Sequence, residues 1–505
     1  MQVMKTPVHL RVRSHGAYQL EFKIDYELSS QHETRYMVNT FIFIPYNLGV
    51  SSRTYSNQDF HRDIQNYVRL STPVFELGAL LNDPSSPLIK CEQILQTHKW
   101  YTSGRNRERL VTNLKMLRPV FNASLRSYLR AVLTQHRRAE KSKESAAELE
   151  RSLETLVAHA REFMDRFRTV ERLQLDHADD AVKHIVTAYR FADEALSLVY
   201  EDALLWSYRI ADKYLKGDEC KNLLSAEVEH EIEYRRLHKY RSILREGSSN
   251  EQYLQAASQL KKYTTSALYL STSTEREGAT LEQVLFAIAA GISMVFATFI
   301  AFYSQSRYGV MTVPVFVALV VGYMFKDRIK EVGRSLSEKM IRNFRYDLRM
   351  NLFTPEGKHK IGHVREKMTF LDPDDLPDEV RRVRGREDDY PSVLEDLDVE
   401  VISYAKEVNV SKSVFRELDI GGAQVTGIRD IMRYDIRRYL RKTADPVEER
   451  YMLKDGELVT VECHKTYQLE FVTEYRSCED GEPVRYQHTF VRLDRDGITN
   501  VRHVR

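Results

Sequence analysis

VLFAIAAGISMVFATFIAFY, residues 284–303, followed by SQSRYG (304–309) and VMTVPVFVALVVGYMF (310–325), is the one stretch of this chain that water does not tolerate. The first run holds 20 residues without a formal charge. At about 1.5 Å per residue, a helix of that length covers the ~30 Å hydrocarbon core of a bilayer. The second run, Gly309 to Phe325, is uncharged over 17 residues. That is close to the lower limit of about 17 for spanning, and Pro314 falls in the first turns, where a helix tolerates it. The pair predicts a two-helix transmembrane hairpin, 284–303 and 309–325.

Charge placement orients such a hairpin. Lys326, Arg328, Lys330 and Arg334 follow the second run, whereas the connecting loop offers Arg307 alone. Cations collect on the cytoplasmic side, so these four are expected at the inner membrane surface and both termini in the cytoplasm. The expectation is a multi-pass protein of the cell inner (plasma) membrane. Small residues recur at a spacing of four, Ser293, Ala297 and Ala301 on one run and Ala318 and Gly322 on the other. Such stripes let helices approach closely in lipid, either within one chain or between copies.

Outward from this hairpin the chain is polar, with a mean hydropathy of -0.47. Its 505 residues exceed one ordinary core. The net charge of +2, from 75 Lys and Arg against 73 Asp and Glu, gives no overall attraction to nucleic acid. Cys91, Cys220, Cys463 and Cys478 form no CxxC pair, which removes the usual zinc and redox motifs. The N-terminal residues have basic groups but no apolar run after them, so no cleavable signal is read there.

Period-two alternation in YQLEFKIDYEL (18–28) and the return run RYMVNTFIFIP (35–45) predict an N-terminal β meander over 1–55. A mixed α/β segment follows at 56–104, where Ser56 with an acidic residue three positions on marks a helix start. Residues 105–250 are poor in Gly and Pro and keep heptad-like apolar spacing, so a cytoplasmic helical bundle of coiled-coil character is expected. A helix over 251–283 leads to the membrane, and 326–353 reads as a cytoplasmic helix extending the second run. The charged, proline-bearing 354–391 reads as a linker and 392–443 as a helical unit. Its arginines Arg429, Arg433, Arg437 and Arg438 suggest either a basic face packed on its own domain or one laid on anionic lipid.

The C-terminal 444–505 alternates again, with Asp455-Gly456, Asp480-Gly481 and Asp496-Gly497 as hairpin turns. YQLEF occurs at 18–22 and at 467–471, so a duplicated meander that pairs with 1–55 is one reading, and chance likeness of aromatic strands is the other.

Chemistry-bearing motifs are sparse. His177, Asp180 and His184 share one helical face, and Glu227-x-x-His230 has half of a di-iron spacing. These are the metal candidates, set against the plain reading of solvated charges. There is no GxxxxGK[ST], GxGxxG after a strand, GxSxG or HExxH. No catalytic residue and no cofactor is therefore expected. The sequence thus predicts an α+β membrane protein: a transmembrane hairpin, a long helical cytoplasmic region and antiparallel β meanders at both termini. The expected role is a non-enzymatic scaffold, sensor or interaction module that self-associates. Its expected partners are the lipid bilayer, further copies of itself and a cytoplasmic protein, without nucleic acid. The other reading is an oligomeric two-span ion channel gated by cytoplasmic helices.

Overall fold

The structure is a computed structural model that describes residues 10–28, 33–138, 143–174, 183–309, 312–385, 399–413, 425–477 and 483–504. The chain opens with β1 (Arg11–Ser14), β2 (Gln19–Glu27) and β3 (Thr34–Pro45), and α1 (Asn57–Asp63) then runs directly into β4 (Ile64–Leu70). Helices α2 (Leu77–Asn82), α3 (Pro87–Gln96), α4 (Gly104–Arg138), α5 (Lys143–Gln174), α6 (Lys183–Tyr214), α7 (Glu219–Leu237) and α8 (Glu251–Thr265) follow. β5 (Ser271–Arg276) leads into α9 (Ala279–Tyr308) and α10 (Val313–Phe344), after which the chain returns through β6 (Leu348–Phe353) and β7 (Lys360–Leu371). The remainder is α11 (Asp378–Arg384), β8 (Val399–Val410), β9 (Gly427–Asp435), β10 (Val447–Lys454), β11 (Glu457–His464), β12 (Tyr467–Ser477), β13 (Arg485–Asp494) and β14 (Gly497–Val504).

The strands form two antiparallel sheets and one separate ribbon. One sheet has the order β1-β2-β9-β4, the other β14-β13-β12-β3-β8-β7-β6-β5, and among the described residues β10 pairs only with β11. The sheets face each other across a core that includes Leu20, Phe22, Ile42, Tyr404, Met432, Leu469 and Phe471. The two YQLEF segments meet there from opposite sheets, with the Phe22 and Phe471 rings 5.4 Å apart. On the outer face of the larger sheet, Val380 and Val383 of α11 pack on Phe41, Phe43 and Val472. Helices α2 to α8 share a second large core with the end of the sandwich that carries Tyr26, Tyr36 and Tyr475.

Several expectations are corrected. The chain is α+β with large antiparallel sheets, and among the described residues only α9 is long and apolar enough to cross a membrane, over Glu282–Tyr308 at a mean hydropathy of 2.4. The two-helix transmembrane hairpin therefore does not stand. Gly309, at φ 76°, closes α9, and the next helix begins only at Val313. The apolar part of α10 ends at Phe325, roughly 13 residues or about 20 Å of helix, before Lys326, Asp327 and Arg328.

Among the described residues no coiled coil is present either. The buried side of α4 includes Leu114, Leu117, Val120, Phe121 and Leu125, a surface wider than an a/d seam, and it meets α3, α5, α6 and α8. The N-terminal meander is also replaced: β2 pairs with β1 and β9, whereas β3 lies in the other sheet between β12 and β8. The helical unit expected over 392–443 is strands β8 and β9 in its described part, and the linker over 354–391 contains β7 and α11. The helix expected to extend to 353 stops at Phe344, and β6 begins at Leu348.

Candidate functional site

Apolar periodicity on α5, α6 and α7 brings three long helices together, yet the seam between them is polar. Arg161, Asp165 and Arg168 recur on one face of α5, and Glu227, His230 and Glu231 on one face of α7. With Met164 and Tyr200 these side chains line a cavity of about 320 Å³. Arg168 donates to Glu231 through both terminal nitrogens, at 2.9 and 2.8 Å, and Ser197 donates to the same carboxylate at 2.6 Å. The guanidinium of Arg168 also stacks on Tyr234, 3.5 Å from the ring centre. Arg161 pairs with Glu227, which accepts a second bond from the Tyr200 hydroxyl at 2.9 Å.

The network extends inward. Arg235 is 1% exposed and pairs with Glu201, while donating to Ser197 Oγ at 2.9 Å and to the Ser242 carbonyl at 3.1 Å. Asp193 accepts from the hydroxyls of Tyr234 and Tyr240 at 2.9 and 2.7 Å. Burial pushes the Tyr200 phenol well up, and the adjacent Glu227 adds to it. Burial alone would lower Arg168, but hydrogen bonding to Glu231 outweighs it and holds the guanidinium charged. Burial raises the Glu201 carboxyl against the opposing pull of Arg235. A buried charge with its partners in place is satisfied, so this layer fixes how the three helices sit on one another.

The sequence candidates distribute unevenly. Glu227 and His230 both reach the cavity, but Glu227 is taken by Arg161 and Tyr200, and His230 is exposed with Nδ1 4.0 Å from Glu231. His184 is exposed near the start of α6, and His177 and Asp180 lie outside the described residues. Among the described residues no group of three His, Cys, Asp or Glu is placed to hold a metal ion. The arginines of 429–438 are on or just after β9 and are engaged in ion pairs: Arg429 with Asp25, Arg433 with Glu21, Arg437 with Asp435, Arg438 with Asp59 and Asp63. They do not form a free basic helix face.

On α9, Ser293 is buried and Ala297 and Ala301 are half-buried; on α10, Ala318 is half-buried and Gly322 buried. A methyl group added at Gly322 would meet the Ile300 side chain at 3.2 Å, and one at Gly333 would meet Ala289 at 2.9 Å, which fixes the helices as antiparallel neighbours. Of the four cations after Phe325, Lys326 lies over the Tyr323 ring at 4.4 Å and Arg334 over Phe286 at 4.5 Å. Arg328 bonds to Glu331 at 3.2 Å, and Lys330 is exposed. The outer face of α9 is apolar and bare: Ile292, Val295, Phe299 and Phe302 are each more than half exposed.

One polar cluster went unread in the sequence. Lys406 on β8 is buried between the sheets, 2.5 Å from Asp430 of β9 and 3.6 Å from Glu366 of β7. Its only signal is a lysine at an inward position of the alternating run VISYAKEVNV. The chain matches no protein-family model, no curated protein and no solved structure, so no relative's activity bears on these sites.

Proposed function

We infer that this protein is a membrane-attached, non-enzymatic interaction module whose tether is α9. One observation carries the reading: only 11% of the most apolar window of α9 is buried. Nine of its large apolar side chains, among them Ile292, Val295, Phe299 and Phe302, are exposed. A contiguous bare apolar face of this kind marks a surface that an apolar partner or solvent covers. A bilayer supplies a cover that suits a helix of this length and composition. The first turns of α10, with Val313, Phe316 and Val320 exposed, add to the same apolar surface.

In the polar seam the buried carboxylates and guanidiniums already have partners, so its role in this reading is structural. Arranged in this way, the seam holds α5 to α7 as a rigid body on which a partner protein can be received. Membrane fractionation of the full chain tests the tether. The parent is expected to resist alkaline extraction and to need detergent for release, whereas Ile292→Asp with Phe299→Asp shifts it to the extractable fraction. A parent that is recovered in the soluble fraction without detergent would refute the reading.

A further inference from the structure

Strand register makes the outer face of the smaller sheet basic. On β2, Glu21, Lys23 and Asp25 point opposite to the inward Leu20, Phe22 and Ile24, and each belongs to a rung that crosses the sheet. One rung holds Arg13, Glu21, Arg433 and Gln65, the next Arg11, Lys23, Ile431 and Tyr67, and the third Asp25, Arg429 and Arg69. Over these rungs two carboxylates serve six cations. Glu21, 2% exposed, is divided among Arg13, Lys23 and Arg433, and Asp25 is taken by Arg429. Arg11 and Arg69 have no carboxylate within ion-pair distance among the described residues. The Arg69 guanidinium reaches the Thr72 hydroxyl at 3.5 Å, and its Nε is buried without an acceptor.

The helices add to this surplus. A bridge from Arg69 to Tyr269 joins β4 to the chain just after α8, and α8 packs on α4, where Lys115 lies 4.8 Å from the Tyr263 ring centre. Burial, and then the charges of Arg118, Arg13, Arg126 and Arg69, hold the Lys261 ammonium of α8 below the ordinary lysine range. Arg13 and Arg69 belong to β1 and β4, the opposite edges of the sheet, so a lysine that senses both stands over the face between them. Burial also lowers Arg118 of α4, against the pull of Asp202. The near-neutral total of the chain conceals this local excess.

The form of the surface selects among polyanions. A flat bilayer reaches cations that project, whereas Lys23, Arg69, Arg429 and Arg433 are half-buried, set down beneath Lys261. An acidic peptide would meet the charge but leave the rings bare. Tyr67 is exposed in the middle rung with the Arg433 guanidinium 5.5 Å from its ring centre, and Tyr269 is exposed beside Arg69. A single nucleic-acid strand uses both, since its phosphates follow the cations while its bases stack on tyrosine faces and guanidinium planes. We propose that the outer face of the smaller sheet, with Lys261 above it, binds single-stranded nucleic acid. The three rungs span about 14 Å along the strands and the four strands about 14 Å across, room for about four nucleotides. This surface is separate from the apolar face of α9, and the inference does not depend on the tether.

The test uses the full chain in detergent micelles, which cover α9 whatever its natural surroundings, and the fluorescence anisotropy of a labelled oligothymidylate about 15 nucleotides long. Binding is expected to weaken roughly 50-fold between about 50 and 200 mM salt, the slope for about four phosphate contacts on a single strand. Arg11→Glu combined with Lys261→Glu, both at exposed positions, is expected to abolish binding with Tm unchanged. Tyr67→Ala is expected to weaken it about tenfold, whereas Tyr67→Phe, which keeps the ring, binds as the parent does. No binding of the oligothymidylate, or binding that all these substitutions leave intact, would overturn the inference. Binding that follows the charges alone, is unmoved by Tyr67→Ala and is displaced equally by polyglutamate would overturn it in favour of an acidic protein. An oligothymidylate that fails to bind, with a preference for phosphatidylglycerol over phosphatidylcholine vesicles that the double charge variant loses, would overturn it in favour of a lipid surface.

Discussion

Replacing Lys406 by methionine removes a buried cation that joins the two sheets through their core. Its ammonium lies 2.5 Å from Asp430 and 3.6 Å from Glu366, and it also donates to Asn66 Oδ1 at 3.3 Å. All three charged residues are 3% exposed or less. Taking away the cation strands Asp430 and leaves Glu366 with Asn66, which donates to it at 2.6 Å, and breaking a buried pair in this way costs about 3–5 kcal/mol. For a cooperative unit of about 200 residues each kcal/mol lowers Tm by about 2–4 °C, so Lys406→Met is expected to melt roughly 6–20 °C below the parent. Adding Asp430→Asn and Glu366→Gln to it removes the stranded charges and recovers at least half of that loss.

Burial alone would lower the pKa of Lys406, but Asp430 and Glu366 outweigh it and raise the group above the ordinary lysine value of 10.5. A raised cation contributes stability that is fully present below 10.5 and is lost as pH climbs through the folded-state pKa. The gap between parent and Lys406→Met therefore stays constant across neutral pH and narrows only in strong alkali. Thermal unfolding of detergent-solubilised protein, followed by tyrosine and tryptophan fluorescence, measures both effects. A Lys406→Met protein that melts within 2 °C of the parent, or a neutralised triple variant less stable than the single one, would refute the reasoning.

Two further expectations follow from the same kind of accounting. Glu21 is raised by burial, but its bonds from Lys23 and Arg13 prevail and take it down to about 2, so its contribution is present above the ordinary 4.5 and vanishes as pH falls through about 2. Glu21→Gln is expected to cost roughly 1–2 kcal/mol at neutral pH, water screening included, with the difference closing in strong acid when Tm is scanned against pH. Gly322→Leu on α10 forces a side chain against Ile300 of α9 and is expected to cost about 1–3 kcal/mol in detergent, whereas Gly291→Ala, with open space around it, leaves Tm unchanged.

The sequence made the bundle legible where helices are amphipathic. Leu149, Leu153, Leu156, Val157, Ala160 and Phe163 keep a spacing of three or four on α5, and all are buried. It misled along β9, where the inward face Ile428, Asp430, Met432 and Tyr434 is interrupted by an aspartate and the outward face Arg429, Ile431 and Arg433 carries one apolar residue that is also buried. Ile428, Ile431, Met432 and Tyr434 thereby imitate a helical stripe although the strand keeps its period of two. The same ambiguity hid the change from α1 to β4 after Asp63, where no Gly or Pro marks the boundary. The second apolar run was overextended because Gly309 and the residues after it carry no charge, yet the helix restarts only at Val313.

Within the polar seam, the spacing of Glu227 and His230 could be read from the chain, but their surroundings could not. Arg161 lies 66 residues from Glu227, and Arg168 lies 63 from Glu231, so nothing local announces either pair. Lys406 and Asp430 are hidden in the same way, since they belong to different sheets. The Asp455-Gly456 turn was visible because it is set by two adjacent residues, and the ribbon it closes is there.

The route by which α9 and α10 join the sandwich has a consequence for modularity. Arg276 and Leu348 sit opposite each other on one rung of the β5–β6 ladder, and both helices are threaded between them. To the sheet, the whole excursion is a single loop closed by adjacent strands. Splicing in a tight turn at that rung would leave every other strand pairing as it is. A lineage could thus gain or shed this helical pair in one step without redesigning the body that it carries.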